Sequence, residues 1–307
     1  MDEFIRLIRE SSGCGPWPEP ELPPLPPHLE KLAAETSAAV PYRAVLFDVY
    51  GTLFSSAAWD SAHAEHYANE CAAQGSAVHC GISEALDAVA ALYDPALRGS
   101  DLRSWFLQKV KEIHTELHQR TEWPEVRVEQ IWDDFLQQRS LPGSAQELAL
   151  RYELAVNPVY PMPGAERAIT ALRESGCVMG IISNAQFYTP LLFKTFCGGL
   201  PEEIGFDREL LIYSYECREA KPAPRLYETA ASRLRSRGIA PAECAFIGND
   251  MLSDIYGAHN AGFQTILFAG DRRSLRLREN DDRVKNLSPQ RIIRRLSELI
   301  MPSPGSP

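Results

Sequence analysis

The sequence lacks the marks of several large protein classes. No apolar run approaches the roughly 20 residues of a membrane-spanning helix, and the first ten residues have no uninterrupted apolar stretch like that of a secretory signal. Basic residues are not in excess, because 31 Lys and Arg stand against 41 Asp and Glu, a formal net charge of −10. Nucleic acids and anionic membranes are bound by basic surfaces, so neither is expected as a partner. A small phosphorylated substrate remains compatible, since a local site can be positive on a negative protein.

Paired cysteines are also lacking. The chain has seven cysteines, an odd number, and no two of them stand in a CxxC spacing. This pattern favours separate thiols in a reducing compartment over a zinc site or a disulfide framework. The expected location is therefore the cytoplasm.

The 307 residues suffice for one large domain, or for a core domain with a smaller inserted one. Residues 1–42 are predicted to be an accessory extension, with short helices on either side of the proline-rich run at 15–27. That run is too dense in proline for a helix or a central strand. It is interpreted as an extended strap or linker, with a ligand for a proline-binding domain as the alternative. Residues 301–307 are predicted to be a flexible tail.

Residues 43–56 and 156–300 show a strand–helix alternation that predicts one core domain. Apolar runs that end in polar loops predict strands, and amphipathic runs between them predict helices, the last at 288–300. Such alternation indicates an α/β fold with a doubly wound parallel sheet. Strands are predicted at 44–47 and 263–269, strands that run into polar loops at 177–185 and 244–250, and a weaker strand followed by a loop at 210–222.

Residues 57–155 differ in composition from both flanking segments. They are rich in Ala, Leu, Glu and Gln, and contain few runs of β-branched residues. We interpret this stretch as a helical domain inserted into the core. Its predicted helices are 57–74, 81–92, 100–120, 125–138 and 143–154.

Polar side chains cluster where the predicted strands end. In a parallel α/β sheet, ligands bind beyond the carboxyl ends of the strands. Four clusters at such ends are therefore expected to meet in one site. They are Asp48 with Thr52, Ser183 with Asn184, Lys221, and Asn249 with Asp250 and Asp254.

Asp48 follows four apolar residues, where an unpaired carboxylate is costly to bury. It is interpreted as a nucleophile that forms a covalent intermediate, or else as an Asp that caps a loop. Gly51 would let backbone N–H groups approach a ligand closely, and Thr52 would add a hydroxyl donor.

The next two clusters carry candidates for holding a phosphoryl group. The Ser183 hydroxyl and the N–H of Asn184 would hold one of its oxygens, although a serine at a strand end can equally cap a helix. Lys221 precedes prolines that stiffen its backbone. It would neutralise charge on the nucleophile and the transferred group, or else be a solvated surface lysine.

The last cluster suggests a cation. Asp250 and Asp254 lie one helical turn apart, and with Asp48 they would repel each other unless a hard cation lay between them. Carboxylates, a backbone carbonyl and water suit Mg²⁺. The alternative is that Asp250 only caps the helix that follows it.

The segments DVYGT, ISNA, AKPAPRLY and GNDMLSD, in this order, resemble the four motifs of the haloacid dehalogenase (HAD) superfamily. The long first gap matches members with a helical cap inserted after the first motif (C1-type). The resemblance implies a hydrolase in which Asp48 is the nucleophile and Ser183 and Lys221 steady the transferred group. It further implies Mg²⁺ bound by Asp48, the main-chain carbonyl of Tyr50 and Asp250, with Asp254 helping directly or by orienting Lys221.

Position 50 departs from the pattern of the family's phosphatases. They usually carry there a second aspartate, which protonates the leaving group and then activates water. Tyrosine ordinarily titrates near ~10 and replaces that acid poorly. DVYGTLF instead resembles the 2-haloacid dehalogenase branch, in which a halide leaves without a proton and an arginine from the cap holds the substrate carboxylate. Arg98 and Arg103 lie in the cap-like region, but no motif identifies either as that residue.

The fourth motif points the other way, because its acidic pair is expected of metal-dependent phosphohydrolases. The prediction is therefore a Mg²⁺-dependent phosphohydrolase acting on a small phosphorylated metabolite. A metal-independent 2-haloacid dehalogenase-type hydrolase and a weakly active phosphate-binding or regulatory protein remain as alternatives.

Overall fold

A computed structural model of the chain describes residues 1–12, 19–35, 42–56 and 82–300. Within these residues, six parallel strands form one sheet in the order β3-β2-β1-β4-β5-β6. This α/β arrangement confirms the predicted fold class. The strands are β1 Ala44–Phe47, β2 Val178–Ser183, β3 Phe206–Tyr213, β4 Cys244–Gly248, β5 Gln264–Phe268 and β6 Arg291–Ile293.

Helices lie along the whole described chain. Two precede the sheet, α1 Asp2–Ser12 and α2 Pro27–Glu35. Five of the described helices lie between β1 and β2: α3 Ile82–Ala91, α4 Gly99–Leu117, α5 Val128–Gln138, α6 Ala145–Val156 and α7 Ala165–Glu174. The remaining described helices lie between the later strands: α8 Thr189–Phe196, α9 Ser214–Cys217, α10 Pro224–Arg235 and α11 Gly257–Asn260.

Strand β1 lies at the centre of the sheet and sets the position of the site. All four of its side chains are buried, as expected for a parallel strand covered on both faces. Phe47 is in register with Ile181 of β2 on one side and with Ile247 of β4 on the other. Successive strands are added on opposite sides of β1, so a crevice opens beyond the carboxyl ends of β1 and β4.

Helices α3 to α6 occupy the region predicted to be an inserted cap. They pack through large apolar side chains: Trp132 is fully buried and contacts the rings of Phe106 and Tyr152. Helix α6 begins at a Ser144 cap, whose hydroxyl accepts a bond from the Glu147 N–H. Four of the five predicted cap helices are present with shifted ends, and the fifth, 57–74, lies outside the described residues.

The N-terminal residues pack on two different parts of the molecule. Helix α1 buries Leu7 and Ile8 and contacts α6 and α8, and the Ser12 hydroxyl donates to the Val159 carbonyl (2.8 Å). The segment 19–35 buries Leu25 and Leu29 beside β6. The described part of the extension therefore lies on the domain surface as a strap.

The predicted helix at 288–300 is wrong. Residues 291–293 form the parallel edge strand β6, with Ile292 and Ile293 buried, and only a single 3₁₀ turn follows at Leu296–Leu299. The β-branched pair fits a pleated surface, and pairing with β5 outweighs the local helical pattern. The strand predicted at the start of 210–222 is present but begins earlier, because β3 extends from Phe206 to Tyr213.

Among the described helices, none combines the length and the apolar character that a bilayer crossing needs.

Replacing Ile8 tests whether α1 is part of the folded unit. Ile8 is fully buried, so Ile8→Ala should lower the free energy of unfolding by about 2–5 kcal/mol. Urea denaturation followed by circular dichroism measures the change. The matched control is Leu107→Ala, a helical residue whose side chain is 57% exposed. Equal midpoints for the two variants would show that α1 does not stabilise the fold.

Candidate active site

Asp48 directly follows β1 and is 5% exposed. Its N–H donates to the Ile247 carbonyl (2.8 Å), which continues the pairing with β4 past the end of the strand. Its Oδ1 accepts bonds from the Ser183 hydroxyl (3.0 Å) and the Lys221 ammonium (2.6 Å). The first three sequence clusters therefore meet at one carboxylate oxygen.

The other oxygen of Asp48 is less engaged. The Thr52 hydroxyl lies 3.5 Å from Oδ2 but 3.2 Å from the Asn249 side-chain oxygen. Since a hydroxyl carries one proton, the shorter contact is the better bond. Oδ2 is therefore the oxygen of Asp48 with more freedom to react.

Lys221 bridges two buried carboxylates. Its Nζ lies 2.6 Å from Asp48 Oδ1 and 2.6 Å from Asp254 Oδ1, and all three side chains are at most 7% exposed. The Lys221 backbone N–H donates to the side-chain oxygen of Asn184 (2.7 Å). Asn184 therefore positions the lysine backbone, and Asp254 orients the ammonium.

Burial and charge oppose each other in this triad. Burial alone would lower the pKa of Lys221, but the carboxylates of Asp254 and Asp48 outweigh it, so the pKa is raised and the lysine stays charged. Burial raises the pKa of Asp254, and the nearby Lys221 only partly offsets it. The second oxygen of Asp254 accepts the Asp250 N–H (2.9 Å), so this carboxylate is fully bonded.

Asp250 caps the helical turn that follows it. Its Oδ1 accepts the N–H groups of Leu252 (2.8 Å) and Ser253 (3.0 Å), the N-cap role considered from the sequence. Its Oδ2 accepts the guanidinium of Arg278, with Nη2 at 2.6 Å and Nε at 3.1 Å. Both oxygens of Asp250 are therefore occupied by protein donors.

The predicted Mg²⁺ ligands can be compared with the observed contacts of these side chains. Asp48, Tyr50 and Asp250 line one cavity, so the three predicted ligands do lie together. Within the described ranges, however, no three His, Cys, Asp or Glu side chains are arranged to hold a metal ion. The donor set as it stands does not fit a divalent cation, because Arg278 binds the carboxylate that the ion would need.

Tyr50 occupies the position where the family's phosphatases usually carry an acid. Its hydroxyl bonds the Thr189 hydroxyl (2.8 Å). Burial, with a contribution from Glu153, raises the pKa of Tyr50 far above its ordinary value. The phenol therefore cannot act as an acid or as a phenolate base near neutral pH.

The cavity at the nucleophile is small. Its volume is about 30 Å³, which accommodates water-sized species but not a phosphate ester. A larger hollow of about 550 Å³ lies against cap residues such as Ile113 and Glu116, and none of the predicted catalytic residues line it. The small cavity is lined by Asp48, Tyr50, Asn184, Lys221, Asn249, Asp250, Ser253, Asp254 and Arg276.

Residues 123–128, which we call the seam, lie between α4 and the first residue of α5 and pair with residues 218–220 of the core. The Gln186 side chain donates to the Val126 carbonyl (3.1 Å) and accepts the Val128 N–H (3.1 Å). Glu125 accepts a 2.6 Å bond from Ser214. The seam therefore holds the cap directly to the loop that follows Ser183.

Sequence reasoning missed three charged residues of this region. Arg276 lines the cavity and Arg278 binds Asp250, both from the loop between β5 and β6. Glu153 comes from α6, where burial raises its pKa beside Tyr188. Arg98 and Arg103, the cap arginines considered for a dehalogenase, do not line the cavity. The RLR run at 276–278 was the only local signal for this loop.

A family model described as haloacid dehalogenase-like hydrolase matches residues 42–262. That range is well over half of the chain and includes all four motifs. The protein therefore belongs to the haloacid dehalogenase-like hydrolases.

Curated relatives match part of the chain. A phosphoglycolate phosphatase of Xylella fastidiosa is 30% identical over 136 residues, 44% of this chain and 56% of that protein. A glyceraldehyde 3-phosphate phosphatase of Pyrococcus furiosus is 31% identical over 108 residues, 35% of this chain and 41% of that protein. The chain thus spans about half the length of the curated relatives it matches.

Solved structures are similar over most of the chain. A HAD phosphatase from Thermococcus onnurineus gives a TM-score of 0.49 at 22% identity, covering 83% of this chain and 95% of that one. An L-2-haloacid dehalogenase from Xanthobacter autotrophicus with chloropropionic acid covalently bound gives 0.46 at 19%, covering 84% and 97%.

Replacing Lys221 tests the buried triad. Lys221→Met leaves two buried carboxylates without their cation and should cost about 3–5 kcal/mol of unfolding free energy at neutral pH. The pKa of Asp254 is already raised above its unfolded value of 3.8, and losing Lys221 raises it further. The unfolded chain then ionises first as pH rises, so the deficit should grow from pH 5 to pH 8.

Denaturant unfolding at both pH values measures this deficit. The control is Lys194→Met, which removes an exposed pair with Glu203 and should cost less than about 1 kcal/mol. A Lys221→Met deficit that is the same at pH 5 and pH 8 would contradict the proposed coupling.

Proposed function

We propose that the protein hydrolyses phosphoric monoesters of small metabolites, with Asp48 as the nucleophile. The observation that carries the proposal is the shared Lys221, which holds Asp48 Oδ1 and leaves Oδ2 the less engaged oxygen. The relatives that match part of the chain are named as phosphatases of small phosphorylated compounds, which supports this substrate class.

The reaction would proceed in two displacements. Oδ2 of Asp48 attacks phosphorus and forms an acyl phosphate, the P–O ester bond breaks, and the alkoxide or phenolate leaves with the electron pair of that bond and takes a proton from solvent. Lys221 and Ser183 donate hydrogen bonds to Oδ1. In the acyl phosphate, Oδ1 is the carbonyl oxygen, and these bonds would polarise it. Water then attacks the phosphorus, the acyl phosphate opens, and phosphate and the Asp48 carboxylate are released.

Protonation of the leaving group is the step for which this site lacks an efficient acid. An alkoxide leaving group needs a proton, and the Tyr50 phenol cannot supply one efficiently because its pKa is raised. Substrates whose leaving group is already acidic, such as aryl phosphates, should therefore react faster than alkyl phosphates.

Magnesium dependence and a cytoplasmic location stay predictions. In the family Mg²⁺ would neutralise phosphoryl charge, but the pairing of Arg278 with Asp250 does not leave that carboxylate open to it. Phosphate release measured with Mg²⁺ and with EDTA decides whether the ion is needed.

A metal-independent dehalogenase is the second candidate. Tyr50 is a poor proton donor because its pKa is raised. A halide leaves as an anion and needs no proton, so this reaction would not be limited by Tyr50. Arg276 lines the cavity that contains Asp48, and its guanidinium donates to the main-chain carbonyls of Arg273 (2.6 Å) and Leu275 (3.0 Å). Released from these carbonyls, the guanidinium would suit a substrate carboxylate. Halide release from 2-chloropropionate in EDTA, without phosphate release from esters, would establish this candidate instead.

Asp48→Asn tests the nucleophile. The amide cannot form the covalent intermediate, so phosphate release from p-nitrophenyl phosphate should fall at least about 1,000-fold. The control is Asp134→Asn, an exposed acid of α5, which should keep full activity. An active Asp48→Asn enzyme would exclude the mechanism. Binding of inorganic phosphate without any turnover in the wild type would instead favour a phosphate-binding or regulatory protein.

Tyr50→Asp tests the missing acid. An aspartate there could protonate an alkoxide, so kcat for phosphoglycolate or glyceraldehyde 3-phosphate should rise about tenfold or more. Release from p-nitrophenyl phosphate should change little, since that leaving group needs no proton. Thr189→Val serves as control, because it removes the same hydroxyl contact without adding an acid. Equal changes with both substrates would contradict the role assigned to position 50.

A further inference from the structure

The loop between β5 and β6 places the side chain of Arg278 against Asp250, which the family resemblance predicts to be a metal ligand. Arg276 pairs with the fourth motif like a short strand, since its N–H donates to the Asn249 carbonyl (2.9 Å) and its carbonyl accepts the Met251 N–H (2.8 Å). Two residues later, Arg278 reaches the Asp250 carboxylate.

The backbone conformation of Arg278 is unusual and accompanies its contact with Asp250. Arg278 has φ of 54°, a left-handed conformation that non-glycine residues adopt at a cost. The loop is anchored beside the nucleophile, because the Asn249 side chain donates to the Ser274 carbonyl (2.5 Å) and the Ser274 hydroxyl donates to the Gly51 carbonyl (3.3 Å). Strained backbone at a tightly anchored position indicates that the placement of Arg278 is imposed by its surroundings.

The charges at the site nearly balance without an added ion. Three carboxylates, those of Asp48, Asp250 and Asp254, pair with two cationic side chains, Lys221 and Arg278. A divalent cation added to this set would change a net charge of −1 into an excess of one positive charge in a largely buried site. Displacement of Arg278 would reduce that excess and free the Asp250 carboxylate.

We propose that Arg278 is a built-in competitor of divalent cations at Asp250, so that the arginine and the ion exclude each other. A guanidinium that binds one carboxylate through two nitrogens satisfies it as a metal would, but with one charge instead of two. The side chain is 38% exposed while that of Asp250 is 11% exposed, so the arginine can leave toward solvent and the acid cannot. The affinity for the ion is then set by the cost of removing the arginine.

The loop is also fastened to the N-terminal strap. The Arg272 N–H donates to the Glu21 carbonyl (2.7 Å), and its guanidinium pairs with the Glu21 carboxylate (2.8 Å). Arg272 does not line the cavity that contains Asp250. Its replacement therefore changes a charge in the same loop without removing a residue of the site.

Manganese binding tests the competition directly. Titration of the full chain with Mn²⁺, with free ion followed by electron paramagnetic resonance, gives the Kd without any substrate. Arg278→Gln should tighten the Kd at least tenfold relative to the wild type. Arg278→Lys, which keeps the charge, should fall between them. The control is Arg272→Gln, which should leave the Kd unchanged. Adding Asp250→Asn to Arg278→Gln should abolish the gain.

Equal Kd values for the wild type and Arg278→Gln would overturn the inference, as would an absence of Mn²⁺ binding in every variant. A thermal melt of each variant checks that it is folded. The inference rests on the proposed function only for the identity of the site. Failure to release phosphate would remove that function while leaving the Mn²⁺ result intact, and equal Kd values would remove the inference while leaving hydrolysis intact.

Discussion

The buried lysine shared by Asp48 and Asp254 is the interaction on which the site depends. Each carboxylate would be costly to bury alone, and each is stabilised by the same ammonium. The lysine in turn is fixed by Asn184, and Asp254 is fixed by the backbone of the fourth motif. Folding and reactivity are therefore linked, because the contacts that permit the nucleophile to be buried also decide which of its oxygens can react.

Much of this site could be predicted from the sequence because a parallel sheet brings distant segments together in a regular way. The carboxyl ends of neighbouring strands lie at one edge, so Asp48, Ser183 and Asp250 had to be close once their strands were recognised. Lys221 is on a loop, but the prolines around it limited its conformations. The family resemblance then assigned chemistry to residues that composition alone would leave ambiguous.

The parts that sequence reasoning missed are those set by tertiary contacts. The RLR run at 276–278 does not by itself show that Arg278 reaches the site, because its position depends on a left-handed backbone and on pairing between Arg276 and the fourth motif. Glu153 lies near Tyr50 only because α6 packs against the core. Residues 291–293 likewise form a strand because they pair with β5 at the edge of the sheet. The local pattern of apolar residues, which suggests a helix, does not contain this information.

Helix α1 touches α6 on the cap side and α8 on the core side. Movement of α6 away from α8 would therefore break the contacts of α1 with one of these two helices. The N-terminal helix in this way couples the region of the predicted cap to the helix that follows β2.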